Sequence, residues 1–175
     1  MPAPSDRPDP GDALVDVVDD AGEVVATATR REVRAGNLLH RSVFVAVVGS
    51  DGHLVVHQRA DWKDVWPSRW DVAFGGVVDA GEGWEAAARR ELLEESGVRA
   101  ELERLGPGRY EDPSVREVAE VFLARSDGPF TFPDGEVAAA DRVAVADLER
   151  WLDAHEVVPD SVAIVVPLLL DRLRA

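Results

Sequence analysis

The chain has 175 residues, 19 Lys plus Arg against 34 Asp plus Glu for a net charge of −15, 46% hydrophobic residues and no Cys. The missing Cys excludes disulfides, thiolate nucleophiles and Cys-based zinc sites, and the negative balance argues against broad nucleic-acid binding, whose affinity comes from Lys and Arg on phosphates. No run reaches the ~18 apolar residues of a membrane-spanning helix and the N-terminus lacks a basic-then-apolar leader pattern, so we expect no membrane partner and a cytoplasmic protein.

Residues 1–12 hold four prolines among small and charged residues and read as a disordered or extended tail, which leaves 13–175 as a single domain. Leu14–Val18 and Glu23–Ala28 flank Asp19-Asp20-Ala21-Gly22 and predict a hairpin. Arg30–Gly36 predicts one helical turn. Arg41–Val48, RSVFVAVV, is the strongest strand signal and reads as a central strand buried on both faces. Gly49–Gly52 turns the chain, His53–Arg59 returns as a partner strand, Ala60–Arg69 is a polar Trp-containing loop, and Trp70–Phe74 is a short strand. Trp84–Ser96 has good helix formers and no Pro or β-branched residue, with Gly97 placed for a C-terminal cap. Arg99–Leu105 predicts a strand ending in the turn Gly106-Pro107-Gly108, Val115–Ala124 another strand, and Val137–Val145 part of one. Asp147 is placed to cap a helix to Ala154, and Asp160 or Ser161 one to Arg174, with Pro167 kinking it. Strands with helices on both sides indicate a layered α/β arrangement.

The chemistry concentrates in Gly75–Val98, GGVVDAGEGWEAAARRELLEESGV. Glu82 sits in a glycine-bounded loop, and Glu91, Glu94 and Glu95 fall at i, i+3 and i+4, on one helical face. That spacing costs roughly 0.2–0.5 kcal/mol per like-charged pair and sets acids at the negative end of the helix dipole. A divalent cation reverses both penalties, and Mg2+ favours carboxylate oxygens with substrate phosphates. A solvated acidic face with Arg89 and Arg90 as partners is the other reading of the same residues.

Read in order, Gly76, five residues, Glu82, seven residues, Arg90-Glu91-Leu92, one residue, Glu94-Glu95, one residue and Gly97-Val98 resemble the complete signature box of the Nudix hydrolase superfamily. The resemblance implies a Nudix-type α/β/α sandwich with a mixed β-sheet between helices, bound Mg2+ or Mn2+, and hydrolysis of a diphosphate linkage in a nucleoside diphosphate derivative or related phosphorylated small molecule. It also implies roles: Glu91, Glu94 and Glu95 as metal ligands at the catalytic centre, Glu82 assisting them, and Gly75 grouped with the metal site. Arg90 would orient the acids by pairing with Glu82 or Glu94. Enzymes of this kind often recruit a further acid, for which Glu117, Glu120 and Glu136 are the candidates. A homodimer is compatible with this reading.

Leu38-Leu39-His40-Arg41 and Trp66-Pro67-Ser68-Arg69-Trp70-Asp71 resemble the isopentenyl-diphosphate isomerase-like branch of the superfamily. True isomerases place a catalytic Cys where this chain has Gly75 and a His where it has Val77, so the resemblance implies a hydrolase on that scaffold. An isomerase and a non-catalytic nucleotide-binding module are the alternatives. Arg59 and Arg41, with Lys63 and Arg69, are candidates for phosphate contact, against ordinary surface charge. Trp66 and Trp62 are candidates for stacking on substrate, against anchoring their loop. His40, His53, His57 and His155 read as structural or solvent-exposed.

Overall fold

The structure, a computed structural model, describes residues 10–175. Most of the expected N-terminal tail lies outside them. Pro10–Asp12 form a 3-10 turn rather than extended chain, and Asp12 pairs with Arg31 at 3.1 Å.

The strongest strand signal is the organising strand. β3, His40–Val48, runs parallel to β8, Arg116–Arg125, in register from His40 opposite Glu117 to Val48 opposite Arg125. It also pairs antiparallel with β6, Phe74–Val77, from Ser42 opposite Val77 to Val45 opposite Phe74. The hairpin β1–β2, Leu14–Val18 and Val24–Thr29, joins through Val17 opposite His40. β4, His53–Arg59, meets β3 at its far end and pairs with β5, Trp70–Asp71, and β9, Val137–Ala144. β7, Leu102–Glu111, pairs with β8. Among the described residues, nine strands thus form one mixed sheet.

Alternation along β3 builds the layers. Val43, Val45 and Val47 pack with Ala87, Ala88 and Leu92 of α2, Trp84–Ser96. Phe44, Ala46 and Val48 face the opposite core with Ile164, Val165 and Leu169 of α4, Pro159–Arg174. Successive side chains of a strand point to opposite faces, so a continuous apolar run serves two cores. The short helix α1, Arg30–Gly36, is closed by a Thr29–Glu32 capping box and by Asn37 at φ 46°. α3, Leu148–Ala154, precedes α4. The mixed sheet between helices is the expected α/β/α architecture.

Four local expectations are corrected. Trp70–Phe74 is not one strand: β5 belongs to β4 and β6 to β3, and Asp71 turns the chain between them by accepting the Ala73 N–H at 3.2 Å. Gly106-Pro107-Gly108 is not a turn but lies inside β7, where the register skips Leu105 between Arg104 and Gly106 and Gly106 sits at φ 145°. Gly108 is required there by packing, since a Cβ would lie 2.3 Å from the Ile164 side chain. Asp147 makes no side-chain cap and instead accepts from Arg150 at 2.8 Å. α4 has Val158 rather than Asp160 or Ser161 as its N-cap, with Pro159 in the first turn, a position where the missing N–H costs nothing, and Pro167 lies within its span.

Gly75 is fixed by close approach of two strands, because a Cβ there would lie 2.0 Å from the Val43 carbonyl oxygen. Gly75→Ala is therefore expected to destabilise the fold by at least the ~1–3 kcal/mol typical of overpacking, read as a lower denaturant midpoint with an unchanged m-value.

Candidate active site

α2 presents the acids because its apolar positions, Ala87, Ala88 and Leu92, are committed to the sheet. The helix ends at Gly97, whose φ of 74° lets its N–H return to the Leu93 carbonyl. Glu95 is 4% exposed and its Oε2 accepts the Gly75 N–H at 2.9 Å. Glu91 lies against Gly76, where a Cβ would come within 2.9 Å of its carboxylate. Two glycines of β6 thus admit two carboxylates to the strand backbone.

Arg90 ties the set together. Its Nε and Nη2 donate to Glu82 at 3.0 and 2.9 Å, Nη1 donates to Glu91 at 2.6 Å and Glu94 at 3.3 Å, and Nη2 reaches the Val77 carbonyl at 3.3 Å. Of the two partners expected for Arg90, the structure gives both, with Glu82 held bidentately. Glu82 in turn accepts the Asp79 N–H at 3.1 Å, closing the loop before the helix. Arg89 points elsewhere, to Glu85 at 2.8 Å and the Ala100 carbonyl at 3.1 Å.

Electrostatics divides the acids. The Arg90 hydrogen bonds hold Glu82 below the usual carboxylate range and raise Arg90 itself. Burial pushes Glu91 up to about 7 against the pull of Arg90. Burial, then Glu91, pushes Glu95 well above its ordinary value. Glu94 is half exposed.

Two acids from the loop before β9 complete the site. Glu95, Asp134 and Glu136 each bring an oxygen within 4.8 Å of the others, and Glu136 is ion-paired with Lys63, whose side chain is 8% exposed. Glu136 is one of the three downstream acids that the sequence offers for this place. Asp134 escapes sequence reasoning, and only its place beside Gly135 and Glu136 in a polar loop hints at it. Glu120 is elsewhere, paired with Arg104 at 2.9 Å. Together Lys63, Gly75, Gly76, Arg90, Glu91, Glu94 and the two loop acids line a cleft of about 210 Å³.

The remaining candidates scatter. Arg41 does not reach the cleft. It donates to Asp16 at 2.8 Å and lies 5.3 Å over Trp84, while Asp16 also accepts the Gly81 N–H at 2.9 Å. Asp16, which no sequence motif singles out, thereby fastens the glycine loop to β1. Arg59 donates to the Val65 carbonyl at 3.0 Å and, with Trp66, lines a second cavity beside the cleft. Trp62 is exposed and Trp70 packs on Trp151. His57 stacks on Phe74 at 4.5 Å, His155 stacks on Trp151, and His53 pairs with Asp51. His40 is buried in the second cavity.

The chain matches the NUDIX domain family over residues 38–163. It is 34% identical over 148 residues to the uncharacterised Nudix hydrolase YfcD of Escherichia coli (strain K12), covering 84% of this chain and 81% of that one. It is 36% identical over 167 residues to the uncharacterised Nudix hydrolase SCO1686 of Streptomyces coelicolor, covering 94% and 90%. Among solved structures, DR0079 from Deinococcus radiodurans superposes with a TM-score of 0.71 at 25% identity, over 91% of this chain and 98% of that one. The Nudix domain of Shewanella oneidensis NrtR, solved with ADP ribose, gives a TM-score of 0.60 at 17% identity, over 76% and 87%, a likeness of fold alone. The chain belongs to the Nudix hydrolase family. It is an enzyme of the class that acts on phosphorus-containing acid anhydrides.

This geometry sets two expectations. Lys lacks the fork that pairs Glu82 bidentately, so Arg90→Lys is expected to lower turnover by about a hundredfold, the scale of small misplacements at a catalytic site. Arg89→Ala should leave both turnover and Tm close to wild type, and parallel assays of the two variants check this. The second concerns Asp71, which burial and then Asp160 push up from 3.8 to about 7. Its folded form keeps a proton longer than its unfolded form, so its contribution to stability is full below pH 3.8 and is lost as pH rises through about 7. Asp71→Asn should flatten that decline in denaturation curves taken across the interval.

Proposed function

We propose that this enzyme cleaves the diphosphate linkage of a nucleoside diphosphate derivative or related phosphorylated metabolite at the Arg90-braced acid cluster. The observation that carries the reading is the convergence of Glu91 and Glu94 with Asp134 and Glu136 on one cleft lined by Gly75 and Gly76, with the buried Glu95 behind it, an oxygen within 4.8 Å of both loop acids. The donor set fits Mg2+ or Mn2+: every candidate ligand is a hard carboxylate oxygen, and burial drives Glu91 and Glu95 to hold protons where a cation would relieve them. Glu91, Glu94, Glu95 and Glu136 would hold the ion, which supplies charge neutralisation at the phosphates and a more acidic water.

The protein's own residues do the positioning. Arg90 and Glu82 fix the helix against the glycine loop, so the carboxylates need no reorganisation during the reaction. A carboxylate of the set takes the proton of the attacking water, water's oxygen bonds to one phosphorus, and the other phosphate leaves. Lys63 and Arg59, which line the adjoining cavity, supply positive charge for the substrate's phosphates, with Trp66 beside them. Such chemistry needs chiefly positioning and electrostatic stabilisation.

Glu94→Gln and Glu95→Gln should each reduce turnover by orders of magnitude with the fold intact by circular dichroism. The test is a panel of phosphorylated metabolites assayed with Mg2+ or Mn2+ and again with chelator. Wild-type rates in both variants, or rates indifferent to chelator, would overturn the reading.

A further inference from the structure

Lys63 is the one lysine among 19 Lys plus Arg residues, and it stands where the cavities meet. It lines the acid cleft, the adjoining cavity of Arg59 and His40, and a third cavity beside Trp62 and Arg34. Its side chain is nearly covered and lies 5.8 Å over the Trp62 ring. Among the described residues its ammonium donates to Glu136 alone. An ammonium carries three donors on a flexible four-carbon stem, where arginine holds a rigid fork. One donor serves Glu136, which leaves two without a described partner.

The backbone around this pair is fixed. The Ala60 N–H donates to the Glu136 carbonyl at 2.8 Å, the Lys63 N–H to the Ala60 carbonyl at 3.3 Å, and the Glu136 N–H to Asp134 Oδ1 at 2.9 Å. Arg59 holds the Val65 carbonyl of the same loop at 3.0 Å. The loop of Lys63 and the loop of the two acids thus form one hydrogen-bonded unit, in which the lysine stem is the part free to change partners. Burial raises Glu95 and Asp134 above the ordinary carboxylate range, and the Lys63 charge works against that rise at both. Glu95, Asp134 and Glu136 bring oxygens within 4.8 Å of one another, so Lys63 neutralises the same trio that a metal ion would. The two cations compete. A divalent ion on the trio carries twice the charge of the ammonium, and like charges inside a covered cleft are poorly screened.

We infer that Lys63 is a resident counter-ion that exchanges partners: it pairs with Glu136 until a divalent ion takes the carboxylates, and is then released to the substrate's phosphates in the adjoining cavity. Metal binding thereby creates the phosphate site, so metal precedes diphosphate. The inference rests on the metal-binding acid cluster of the proposed hydrolysis and adds an order of binding to it. The rival role is a fixed strut, in which Lys63 keeps Glu136 aimed at the metal throughout.

Binding of Mn2+ alone to the chelator-stripped chain, read from the free-ion electron spin resonance signal, separates the two roles by sign. With exchange, Lys63→Met removes the competitor, and Mn2+ should bind roughly tenfold more tightly, within the ~5–150-fold range of coupled binding events. With a strut, the variant binds Mn2+ more weakly; that result, or an unchanged affinity, would overturn the inference. Arg89→Ala removes an exposed charge from the helix of the acids and should leave the affinity close to wild type, because exposed charges are screened. A second measurement needs no variant. Acetylation of the one lysine by an amine-directed reagent, read by peptide mass, should be quickened by Mg2+ and slowed again by Mg2+ with methylene diphosphonate, a diphosphate that resists hydrolysis. Rates that Mg2+ leaves unchanged, or that the diphosphonate does not slow, would also overturn the inference. Metal-dependent hydrolysis that persists beside such a result leaves the hydrolytic reading standing. Hydrolysis absent or indifferent to metal, with the exchange observed, counts against that reading alone.

Discussion

The site depends on one guanidinium. Arg90 contacts Glu82, Glu91 and Glu94 at once and touches the Val77 carbonyl. Without it, the three acids of α2 and the acid of the preceding loop would repel one another in a half-buried volume of a chain already at −15. Unit charges 4 Å apart interact by about 4 kcal/mol at an effective dielectric constant of 20, so the pairing decides whether loop and helix stay in register. Lys63 does the corresponding work at the other end of the cluster, against Glu136. Arg90 and Lys63 thus pair with the cluster at its two ends, and burial favours the protonated form of the deepest acids, Glu91 and Glu95.

The brace works only because the backbone allows it. Gly75 and Gly76 bring α2 close enough for Glu95 to accept a main-chain N–H. From the other side, Asp16 of β1 receives both Arg41 and the Gly81 N–H, so the N-terminal hairpin anchors the glycine loop. Arg41 holds Asp16 and lies over Trp84, so it ties the first residues of the box helix to the same anchor.

What is legible in the sequence is local. The helix, its glycine cap, the acid face and Arg90's partners all lie within Gly75–Val98, where residue spacing and helical geometry suffice. β3 is legible because its run of apolar, mostly β-branched residues suits a strand buried on both faces. The elements that sequence reasoning misplaces are decided at a distance. Gly106-Pro107-Gly108 carries a turn signal, yet pairing with β8 and packing on Ile164 hold it extended. Asp134, Glu136 and Asp16 reach their partners through loop closure and strand register, and no periodicity announces that.

Glu117 and Glu120 make the point on a single strand. They are three residues apart on β8, an odd separation, so they face opposite sides of the sheet. Glu120 shares the α2 face with Phe122 and Ala124 and is matched by Arg104 from β7. Glu117 shares the α4 face with Val121 and Leu123, opposite His40 in the parallel register. The same buried residue type thus pairs with Arg104 at 120 and faces Ser42 and Asp160 at 117. Neither joins the acid cluster, although residue type alone makes both candidates for it, because the cluster draws its extra acids from the loop that Lys63 closes over. The strand's alternation, not the count of carboxylates, sorts which face of the sheet each acid occupies.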